Sequence, residues 1–120
     1  MKPLAGTTFL MNVKHLAQGA SGASYVVNFQ AEIIITVQTT IEIAIASVNY
    51  PNDPDPSDVA VAQQAIHQGC AEVLAPINCG AAVVIINLVI HPVDFKPKQH
   101  AHWMAIDLQQ HLDELSGASA

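Results

Sequence analysis

The stretch HPVDFKPKQHAH, residues 91–102, gathers three of the chain's six histidines, one aspartate and two of its four lysines. Imidazole and carboxylate groups within a few residues of one another can hold a metal ion, orient a general base, or serve as the polar contacts of a loop. A metal site would draw on His91, Asp94 and His100, because His91 and Asp94 flank a turn and can converge. Its ligands would have to meet within ~2.0–2.2 Å of one ion. His100 and His102 stand two apart at a helix start and point to different sides. Asp107 and His111 are four apart, which suits two ligands and equally suits an ion pair near a helix C-terminus. A His91–Asp94 pair could also orient a base. No H-E-x-x-H or C-x-x-C motif is present, and no serine or cysteine stands in a recognisable nucleophile motif. The residue types therefore favour a binding loop over catalysis or a metal centre, and no cofactor is expected.

Composition narrows the partners. The chain has 120 residues, enough for one core, so residues 1–120 are read as one domain with its core at about 9–115. Charged residues make up 12%, about half of the usual ~25%. Such a surface is either rich in amides or covered by other chains, and a homo-oligomer is expected. The net charge is −6 and arginine is absent. Affinity for nucleic acid comes chiefly from Lys and Arg neutralising phosphates, so tight binding of naked nucleic acid is not expected. No segment reaches the ~18–20 apolar residues of a membrane span. The N-terminal apolar run is broken by Lys14 and His15, a poor secretion signal. With only two cysteines, Cys70 and Cys79, a cytoplasmic protein with reduced thiols is expected.

The elements that must position these residues follow from periodicity. Phe9 to Ala17 reads as a first strand, and Gln18 to Ser24 as a loop of glycines and small residues. From Tyr25 to Asn49, Phe29, Ala31, Ile33, Ile35 and Val37 alternate with more polar neighbours, the period of a strand. Twenty-five residues exceed the usual ~3–10 for one strand, so a hairpin bend is expected near Gln38 to Thr40. The proline-rich acidic stretch Tyr50 to Asp58 stops the sheet, and Ser57 or Asp58 can cap the helix that follows. Val59, Ala62, Ile66, Cys70 and Val73 form that helix's buried stripe. Ala81 to Ile90 is apolar on both faces, as an interior strand is. A last helix from about Gln99 to Leu115 has Ala101, Met104, Ala105, Leu108, Leu112 and Leu115 on its core side. Trp103 stands off that stripe beside Ile106, either capping a core edge or anchoring another chain. The order β-β-β-α-β-α gives a two-layer α/β (α+β) sandwich.

That order, read with its loops, resembles domain IV of the translational GTPase elongation factor G. The family's first strand runs into a loop of the form K-x-x-x-Q-[ST]-G-G-x-G-x-[YF]. The chain reads KHLAQGASGASY, with Lys14, Gln18 and Tyr25 at matching spacing and Gly22 one place from a family glycine. The family's helix, VLAG-like exit, buried strand and HDVDSS loop find counterparts in residues 59–72, VLAP (73–76), residues 81–90 and HPVD (91–94). The resemblance implies a β-β-β-α-β-α sandwich with a left-handed crossover, an exception to the usual handedness. It also implies that both loops lie at the tip of the domain, which in the family enters the ribosomal decoding region. Lys14, Gln18, Ser21, Gly22, His91, Asp94, Lys96 and Lys98 are then the candidate binding residues, with a protein or the ribosome as the contact. The chain departs from the family in lacking the basic residue of SGGRG and in reading HPVDFK for HDVDSS. It has no nucleotide-binding G-x-x-x-x-G-K-[ST] loop, so it is not expected to act as a translocase.

Overall fold

The computed structural model describes residues 5–18 and 24–117. Its elements are β1 (Thr8–Ala17), β2 (Tyr25–Thr36), β3 (Ile41–Ile45), β4 (Val48–Tyr50), α1 (Pro56–Leu74), β5 (Gly80–Ile86), β6 (Leu88–Val89) and α2 (Pro97–Gly117). Four strands form one sheet in the order β1-β2-β5-β3, with β3 and β5 parallel and the other pairs antiparallel. The helices pack on this sheet, α1 against β3 and β5, α2 against β1 and β2, and the helices against each other. The result is a mixed α/β architecture of two layers, one sheet and one pair of helices.

Alternation decides which face of the sheet is covered. Val27, Phe29, Ala31, Ile33 and Ile35 of β2 are buried, as are Ala81, Val83 and Ile85 of β5. They meet Ala62, Ile66, Cys70 and Val73 from α1 and Met104, Leu108 and Leu112 from α2. Burying each large side chain of this set stabilises the fold by roughly 1.5–3 kcal/mol. Ala105 and Leu115 of the expected stripe are only partly buried, and so is Val59.

Three local expectations are corrected. The chain does bend at residues 37–39, but β2 and β3 do not form a hairpin, because β5 lies between them. The connection instead crosses the start of β5, where Gly80 is required: a Cβ there would run into the backbone carbonyls of Gln38 and Thr40. The first helix is capped neither by Ser57 nor by Asp58. Asp55 accepts from the Ser57 amide at 2.9 Å, and Pro56 occupies the first turn, where a missing N–H has no cost. Finally, β5 stops at Ile86. Asn87 takes a left-handed conformation, and its amide donates to the Ser47 hydroxyl at 2.8 Å. That kink sends the chain into β6, which pairs in parallel with β4 as a separate two-stranded sheet.

Candidate functional site

Strand direction fixes where the expected loops lie. β1 ends where β2 begins, with Ala17 opposite Tyr25, and antiparallel β5 leaves the sheet toward the same end. The segment after β6 therefore returns alongside the start of β2. The Val26 amide donates to the Asp94 carbonyl at 3.1 Å, and the Ser24 hydroxyl donates to the Asp94 carboxylate at 2.7 Å. One aspartate thus fastens the 91–96 loop to the end of the 18–24 loop.

His91 shapes the same turn. Its Nδ1 accepts from the Asp94 amide at 3.1 Å and the Val93 amide at 3.3 Å. The Asp94 carboxylate lies 3.8 Å from that nitrogen. A nitrogen that accepts from amides carries no proton to donate, so the shorter contacts define its role and the longer one is not a hydrogen bond. Pro92 and Val93 stand exposed at the apex. The Lys96 carbonyl accepts from the Gln99 amide at 2.9 Å, starting α2.

The six candidate residues that the structure describes do not form one patch. Gln18 is exposed at the end of β1, and His91, Asp94 and Lys96 lie in the fastened loop. Ser21 and Gly22 lie outside the described residues. Lys14 is exposed in mid-β1, opposite Asn28. Lys98 lines a groove between the helices with Gln64, Gln68 and His102.

The alternative ligand trio is not assembled either. His100 is fully buried, 6.2 Å from the Phe29 ring and 5.3 Å from the Phe95 ring. Its Nδ1 lies 3.3 Å from the Lys96 carbonyl. Its Nε2 has no hydrogen-bond partner. Burial is the larger effect and pulls the imidazole pKa below its ordinary value. Among the described residues, no three His, Cys, Asp or Glu side chains are grouped to share an ion.

A second cluster escaped the sequence reading. His15 Nε2 lies 2.8 Å from the Asp107 carboxylate, and its ring stacks on Trp103 at 3.8 Å. Trp103 Nε1 donates to the Tyr25 hydroxyl at 3.2 Å. Phe9 stacks on His111 at 4.3 Å. Asp107 and His111 therefore serve β1 separately, rather than pairing with each other. Trp103 is partly buried against the core edge where α2 meets β1 and β2. The available signal was parity: Met11 and Val13 face inward, so His15 does as well.

No helix among the described residues is long and apolar enough to cross a membrane. No family model and no curated protein matches the chain. The fold is similar to part of the crystal structure of ttk003000868 from Thermus thermophilus, with a TM-score of 0.55 and 14% identity. That likeness covers 86% of this chain but only 15% of the Thermus protein, so the shared fold is a small portion of a much longer chain there.

Proposed function

We propose that the chain is a non-enzymatic binding module with the fold of elongation factor G domain IV, left-handed crossover included, and that it contacts a protein or the ribosome through its tip loops. The observation that carries this reading is the double attachment of Asp94 to Ser24 and Val26. It fastens the 91–96 loop to Ser24 and the start of β2 at one end of the sheet, and such preorganisation lowers the cost of binding a partner. The sheet order β1-β2-β5-β3 with a helix joining parallel β3 and β5 supports the same reading. Gln18, His91 and Lys96 supply the tip's polar groups.

With −6 charge and no arginine, the module binds naked RNA no better than the non-specific ~10⁻⁴–10⁻⁶ M range. The free thiols Cys70 and Cys79 fit a cytoplasmic setting, and the low charge fits a homo-oligomer. The rival metal or enzyme reading loses its third member with the burial of His100.

Sedimentation through a sucrose gradient with ribosomes tests the ribosomal contact. The wild-type chain is expected to travel with the particles, and a His91→Ala, Lys96→Ala variant to remain at the top. A wild-type chain that stays at the top, or a variant that still co-sediments, overturns the proposed contact.

A further inference from the structure

The four-stranded sheet ends in two edge strands that differ in protection. β3 has five residues, and the Gln63 side chain of α1 donates to the Ile43 carbonyl on its outer side. β1 runs for ten residues without proline and pairs β2 in unbroken register. Short strands, prolines, bulges, covering side chains and lysines are the usual guards against edge pairing. Among the described residues, the outer edge of β1 has one of these, Lys14. We propose that this edge is a docking site for an extended segment of another protein, which adds a fifth strand antiparallel to β1. The site goes beyond the tip contact and does not depend on it.

Hydrogen-bond parity identifies the free groups. The Ile35 amide donates to the Thr7 carbonyl, so the odd-numbered residues of β1 bond β2 and the even-numbered ones face away from it. Val26, opposite Leu16, agrees: its amide points away from β1, to the Asp94 carbonyl. The amides and carbonyls of Thr8, Leu10, Asn12, Lys14 and Leu16 therefore point along the open edge. No backbone hydrogen bond among the described residues reaches them. A strand laid there bonds these groups as β2 bonds the odd-numbered set.

The groove beside the edge sets the chemistry of that strand. It holds about 420 Å³ and is lined by Leu10, Asn12 and Lys14 of β1 and by Gln110, His111 and Glu114 of α2. Side chains of an added strand alternate between the open face of the sheet and the α2 wall. On the open face, apolar residues fit opposite Leu10 and Leu16, which are 53% and 59% exposed, and a carboxylate fits opposite Lys14. On the α2 side, His15 already holds Asp107 at 2.8 Å, whereas Glu114 has only a 3.5 Å contact from Gln110. His111 stacks on Phe9, so Glu114, one helical turn later, lies near the start of β1. A lysine or arginine opposite Phe9 reaches it. An antiparallel segment thus carries an acid opposite Lys14 and, five residues later, a base. β1 itself contains no acid, so a second copy pairing through β1 leaves both Lys14 and Glu114 unmatched.

The probe is a nine-residue peptide with valine at its first and seventh positions, glutamate at the third, lysine at the eighth and threonine elsewhere. Amide hydrogen exchange of the full chain is followed with and without it. In the free chain the amides of Leu10, Asn12, Lys14 and Leu16 should exchange fast, and those of Met11, Val13 and His15 slowly. The peptide should protect the fast set, with a Kd below about 100 µM. Exchanging its glutamate and lysine should weaken binding about fivefold or more, and the Lys14→Glu, Glu114→Lys variant should prefer the exchanged peptide. Both of those positions are exposed, so that variant keeps its fold. Asn12→Pro removes one outward amide without breaking a β1–β2 bond and should abolish binding. Absence of binding at about 1 mM, or protection confined to other strands, refutes the site. Binding indifferent to both charge exchanges refutes the stated partner. A fast set already protected in the free chain refutes an open edge, and protection that grows with protein concentration makes a second copy the occupant instead.

Discussion

Gly69 of α1 runs against the backbone of α2 at Ala101: a methyl group on Gly69 would sit 2.5 Å from the Ala101 carbonyl oxygen and 2.9 Å from the Met104 Cβ. The helices touch there without intervening side chains. Gly69→Ala must separate them, because a carbonyl cannot swing away as a side-chain tip can. The expected loss is about 1–3 kcal/mol, despite alanine's better helix propensity. Urea unfolding of the variant, with its midpoint compared to wild type, measures it.

His100 predicts a pH dependence of stability. Its folded-state pKa is lowered, chiefly by burial, so the folded chain resists a proton that the unfolded chain accepts. Its neutral form therefore fits the fold fully above the ordinary histidine value of about 6.5. Stability falls as pH drops below that value, by at most about 1.4 kcal/mol per pH unit for one proton, until the folded pKa is passed. His100→Phe removes this proton and the unpartnered Nε2 while retaining an aromatic ring beside Phe29 and Phe95. Chemical denaturation at pH 7 and pH 5 should show a smaller difference for the variant than for wild type.

The two thiols should differ in reactivity. Burial among apolar groups pushes the Cys70 pKa up to about 12, so almost no nucleophilic thiolate exists at neutral pH. Cys79 is partly exposed immediately before β5. Alkylation of the native chain followed by mass measurement should add one label, at Cys79, with the second appearing only in denaturant.

At the tip, Ser24→Ala removes the hydroxyl that holds the Asp94 carboxylate. One hydrogen bond of this kind contributes about 1 kcal/mol. Because the Val26–Asp94 backbone bond survives, the fold should persist while the 91–96 loop loosens. Faster amide exchange at Val93 and Asp94, with the amides of β5 unchanged, is the expected pattern.

Periodicity made much of this fold legible. The inward set Phe29, Ala31, Ile33 and Ile35 is buried as its alternation requires, and Val37 is exposed because the strand ends at Thr36. The two-sided apolar character of residues 81–90 marked an interior strand, which the structure keeps only as far as Ile86, and a one-dimensional pattern does not say between which neighbours it lies. The assumed hairpin failed there. His100 was legible too: it continues the four-residue spacing of Met104, Leu108 and Leu112, all buried. Its polarity and its histidine-rich surroundings drew attention to ligand chemistry instead. The Ser24–Asp94 and His15–Asp107 contacts join positions 70 and 92 residues apart, distances over which spacing carries no signal.

The insertion of β5 between β2 and β3 also sets an order of assembly. β1 and β2 are joined by a short loop and can zip locally, but β3 has no sheet neighbour until residues 80–86 are present. A nascent chain that has reached only α1 therefore carries two unpaired strand edges, on β2 and on β3, both lined with branched apolar residues. Closing that gap requires the helix between β3 and β5 to bring distant sequence back into the sheet, a slow step for chains with high contact order. Until then, those edges are open to strands of other molecules. The vulnerable interval in this protein's synthesis is thus the emergence of α1, after β3 is made and before Gly80.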